Sequence, residues 1–172
     1  MNAIERNYIE TIDELINKLD RITDNQTFHE QKDHLVGKTI NAVHAIVDCY
    51  ERNKEKLSGD NKNFLLAFCY LNNQIKHDRD LEMFSEQIYS AVLPTYLPCR
   101  LGSTSYSIIW ADFENHGREN AAGKREHYED LLKGKDVKDT LIAAKQILLV
   151  DTTVGYKKEI IKISKGESYD QL

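Results

Sequence analysis

Leu93-Pro94-Thr95-Tyr96-Leu97-Pro98-Cys99-Arg100-Leu101-Gly102-Ser103-Thr104-Ser105-Tyr106-Ser107-Ile108-Ile109-Trp110 is the stretch at which a helix-patterned chain changes character. Both prolines of the sequence lie in it, and a proline lacks the backbone donor that a helix interior needs. Extended Tyr96 to Leu101, a Gly-Ser-Thr-Ser turn, and the aromatic and β-branched run Tyr106 to Trp110 predict a β-hairpin over residues 95–110. A lone hairpin is marginal in water, so this one must pack on the surrounding helices. Tyr96, Tyr106, Trp110 and Phe113 could form a base-stacking platform, but such residues more often cover a core or a seam, with the hairpin expected to close over the end of the preceding helix near His77.

Upstream of the hairpin the helical signal is strong. Ile4, Tyr8, Ile12, Leu15, Leu19 and Ile22 follow the 4-4-3-4-3 spacing of one buried helix face, with Glu10, Asp13, Glu14, Lys18 and Arg21 opposite. After a break at Asp24-Asn25-Gln26, Thr27-Phe28-His29-Glu30 has the form of a capping box and predicts the start of a second helix. Val36, Ile40, Val43, Val47 and Tyr50 supply its stripe, and Gly59 is expected as a left-handed C-cap. Asp60 then opens a third helix, expected to run to about Ser90, with Phe64, Leu65, Phe68, Leu71 and Ile75 on its buried face. Downstream, a charged connection from Asn115 to Lys135 holds one short helix around Arg125 to Leu132. Asp136 caps a last helix, in which Val137, Leu141, Ala144, Leu148 and Asp151 share a face. The expected fold is mainly α, a bundle of four or five helices with an inserted β-hairpin, forming one domain over residues 1–172.

Composition narrows the function by exclusion. Twenty-eight acidic residues against 23 Lys and Arg give a formal net charge of −5, which excludes wholesale coating of nucleic acid but not a local basic site. Cys49, Cys69 and Cys99 are odd in number and widely spaced, and read as reduced thiols. No run approaches a membrane span and the N-terminus lacks a signal-like apolar core, so the expectation is a cytoplasmic protein with no membrane partner. His29 with Asp33, and Glu30 with His34, stand at i, i+4, but polar residues belong in a helix's opening turns, and neither a metal nor a cofactor is expected. Gly117 to Lys124 fails the phosphate-loop spacing, and Ser103 and Ser105 lack a nucleophile elbow.

The remaining chemical candidate is Leu71-Asn72-Asn73-Gln74-Ile75-Lys76-His77-Asp78-Arg79, where polar and cationic groups crowd the end of an apolar helix. Tyr70, Asn73 and His77 share a stripe at i, i+3 and i+7, and polar groups beside an apolar face must find partners. Bland accounts of the same residues stand beside the chemical one. His77 is then a helix-end histidine favoured by the macrodipole, and Asn73 a satisfied amide fixing helix register.

Asn72-Asn73-Gln74-Ile75-Lys76-His77 resembles the signature of HEPN domains: an arginine, a polar residue often asparagine, a few variable positions and a histidine on a long helix of a small α-bundle. Asn73 and His77 match; Asn72 stands where the arginine belongs. The resemblance implies metal-independent RNA cleavage in a groove at a homodimer interface, in a toxin, antiviral-defence or RNA-processing setting. It implies His77 as acid or base, Asn73 as a positioning group, and Asn72, Lys76, Arg79 and Tyr70 as substrate contacts. A histidine suits proton transfer at a ribose hydroxyl, and a cation must stabilise the phosphate charge that grows with it. A lysine in that role lacks the bidentate fork of arginine. The alternative expectation is a non-catalytic helical module binding a protein or nucleotide partner through the same polar segment.

Overall fold

A computed structural model describes residues 3–78, 81–90, 104–112 and 122–150. Among these residues, five helices and one two-stranded antiparallel hairpin follow in the order α1 (Ala3–Leu19), α2 (Asn25–Asn53), α3 (Gly59–His77), β1 (Phe84–Ser90), β2 (Thr104–Trp110), α4 (Ala122–Leu131) and α5 (Val137–Val150). The fold is the helical bundle with an inserted hairpin that the patterning predicts.

The apolar periodicities account for the bundle. Ile12 and Leu15 of α1 are fully buried, and Leu19 and Ile22 nearly so, while Ile4 at the start of the stripe is 49% exposed. α2 packs against both α1 and α3, α5 against α1 and α2, and α4 against α3. Ion pairs rim these seams, Lys145 with Asp13 at 2.5 Å and Lys138 with Asp20 at 2.8 Å, both between α5 and the α1 side. Phe68, Leu71, Leu141 and Ala144 meet in the centre with no exposure.

Trp110 joins the hairpin to the bundle. It is fully buried, and its indole N–H donates to Thr140 Oγ1 at 2.7 Å, so the one polar atom of the ring is satisfied inside the core. Phe68 meets it edge-on at 6.1 Å, and Phe84 lies tilted against it at 6.0 Å. Backbone bonds from Trp110 N–H to Lys135 C=O (3.0 Å) and from Gly134 N–H to Trp110 C=O (2.9 Å) stitch the end of β2 to the turn before α5. That turn needs Gly134, whose φ of 68° lies in the left-handed region. Asp136 then caps α5, accepting from Asp139 N–H at 3.0 Å as the sequence suggests.

Three boundaries differ from the sequence reading. α2 begins at Asn25, because Asp24 takes the N-cap: its carboxylate accepts from Thr27 N–H at 2.8 Å and from the Thr27 hydroxyl at 3.1 Å. Thr27 is therefore inside the helix as a donor to the cap, not the cap itself. α2 also ends earlier, at Asn53 with Lys54 in right-handed geometry, so Gly59 opens α3 and does not close α2, and Ser58 takes the N-cap expected of Asp60, which lies in the first turn. The largest correction is that α3 stops at His77, where the expected helix ran on to Ser90. Phe84–Ser90 is instead the first hairpin strand, registered Phe84 to Trp110 through Ser90 to Thr104. The Tyr106–Trp110 strand stands as expected, while the expected partner strand Tyr96 to Leu101 lies outside the described residues. Asp151, the last residue of the stripe assigned to α5, also lies outside them.

Candidate functional site

The end of α3 is built by a change of environment along one helix. Tyr70 is 2% exposed and its ring lies 5.5 Å from that of Tyr128 on α4, whose hydroxyl donates to Ala111 C=O at 2.7 Å. Burial raises the pKa of both phenols above the ordinary tyrosine value, so each remains a neutral donor. Asn72 and Gln74 are buried as well, at 3% and 0% exposure. Asn73 is half-buried, and Lys76 and His77 are exposed in the final turn. The helix closes when Asp78 N–H donates to Gln74 C=O at 2.9 Å, leaving the Lys76 and His77 side chains beside the negative end of the helix dipole.

The six candidates therefore divide. Asn73, Lys76 and His77 share the accessible end of the helix; Tyr70 and Asn72 are turned into the core; Arg79 lies outside the described residues. Asn72 is the unusual one, because its Oδ1 is buried and has no hydrogen-bond partner among the described residues. Its position, five residues before His77, is displaced by well over a quarter-turn around the helix from the histidine, which follows from about 3.6 residues per turn.

Burial pushes the Cys69 thiol up to about 11; Lys124 of α4, Lys54 after α2 and Lys76 pull it the other way, and Glu51 adds to the rise. Charges of both signs thus act on this stretch of α3, whose own side chains supply no carboxylate between Asp60 and the Asp78 cap. Lys54 is engaged by Glu51 at 2.9 Å.

A second polar cluster joins residues far apart in the chain. Glu86 of β1 accepts from Asn25 Nδ2 and pairs with His29 Nε2 at 3.3 Å, both in the opening turns of α2. Burial, then the neighbouring Glu86 carboxylate, raise the Tyr106 phenol strongly. Phe28 sits between, 6.4 Å from both Phe84 and Tyr106. No sequence signal marks this cluster, because Glu86 enters it only once residues 84–90 are a strand. Among the described residues no three His, Cys, Asp or Glu side chains gather as a metal site, and no helix is long and apolar enough to cross a membrane. The described contacts of the hairpin run to Asn25, Phe28 and His29 of α2, to Phe68, to the 134–135 turn and to Asp136 and Thr140, and none of them reaches His77.

Comparison with protein-family models, with curated proteins and with solved structures gives no match to this chain.

Proposed function

We propose that this protein is an RNA-directed helical module of the HEPN type that binds its target through the exposed end of α3 and does not cut it. The observation that carries the binding half of this reading is the gathering of Asn73, Lys76 and His77 at one accessible helix end. Cations there meet phosphate, and a half-buried amide offers both a donor and an acceptor to a sugar or base edge.

The non-catalytic half rests on Asn72. In the HEPN pattern this position supplies the cation that stabilises the scissile phosphate, and here it holds a neutral side chain that is 3% exposed. Lys76 is a point charge one residue from His77, about 100° away around the helix, and presents no planar fork to the phosphate that His77 would serve.

Fluorescence anisotropy with a labelled single-stranded RNA pool in EDTA tests the reading. Lys76→Ala and His77→Ala are each expected to weaken binding, with Lys76→Ala lowering the salt slope by about one unit. The labelled RNA is expected to stay intact. Products with 2′,3′-cyclic phosphate ends, made by the parent and not by His77→Ala, would replace the binding module with a ribonuclease. Affinity that neither substitution changes would remove the end of α3 from the account.

A further inference from the structure

We draw no further inference here: the strongest candidate, the polar recess between the end of α1, β2 and the start of α5, is lined by the acidic cluster Asp20, Asp136 and Asp139, of which Asp20 is engaged by Lys138 and Asp136 by Ser107 and the α5 cap, and no second feature among the described residues points to a ligand in it.

Discussion

Asn72 carries more of the argument than any other residue, because its chemistry and its place disagree. A buried amide oxygen without a partner costs roughly 1–3 kcal/mol of desolvation. Asn72→Leu, of similar volume, is therefore expected to leave the protein as stable or to raise its unfolding free energy by about 1 kcal/mol in urea denaturation. Asn72→Arg, which restores the residue type of the HEPN pattern, is expected to destabilise by about 3 kcal/mol or more and to gain no RNA cleavage, since the charge would enter the core. A stable, cleaving Asn72→Arg variant would show that position 72 reaches the surface. That the segment is special was legible from the sequence, because Asn73, Lys76 and His77 stand beside an apolar stripe. That Asn72 and Tyr70 face inward was not. For Tyr70 the partner is Tyr128 of α4, which packs on it from 58 positions away.

Among the elements, legibility followed how local each determinant is. The stripe of α1 and the Asp136 cap of α5 depend on neighbours within a few residues, and both were readable. The start of α2 was misread because Asp24 and Thr27 both suit an N-cap, and only the geometry shows Thr27 donating to Asp24. Thr27 and the Asp24 backbone turn hold that carboxyl below its ordinary value of 3.8. A carboxyl lowered in the folded state adds stability that is complete above the unfolded value and is lost as pH falls through the folded one. Asp24→Asn keeps an acceptor at the cap, so its stability should match the parent near neutrality and fall less steeply below pH 3.8 in an acid titration followed by circular dichroism.

Phe84-Ser85-Glu86-Gln87-Ile88-Tyr89-Ser90 suits either period, because Phe84 and Ile88 stand four residues apart, on one face of a helix and on one face of a strand alike. Pairing with Thr104–Trp110 decides the matter, and such pairing is non-local. The Gly134 turn holds that hairpin's end. A Cβ there meets nothing within 4 Å, so Gly134→Ala is expected to cost about 1–2 kcal/mol from left-handed backbone strain alone, with Gly134→Asn costing less. Thermal denaturation of the two variants measures the difference.

For the whole molecule, Trp110 links the hairpin to the bundle: Phe68 of α3, Phe84 of β1, Thr140 of α5 and the 133–135 turn all meet it. Trp110→Ala should cost about 3–5 kcal/mol and unfold the bundle and hairpin together, in one transition by both far-ultraviolet circular dichroism and tyrosine fluorescence. Two separate transitions would mean that the hairpin is a removable attachment. The bundle class was legible in helix periodicity and scarce proline. The mutual placement of helix end and hairpin was not, because it arises from contacts between distant segments.

We propose that this protein meets RNA at the exposed end of α3. Ultraviolet cross-linking of the full chain to a 4-thiouridine-labelled RNA pool, followed by mass spectrometry of the conjugated peptides, tests it most directly. The predicted result is conjugation concentrated on residues 73–77 and abolished by competitor RNA. Conjugates confined to other elements, or none at concentrations that saturate a known RNA binder, would contradict it.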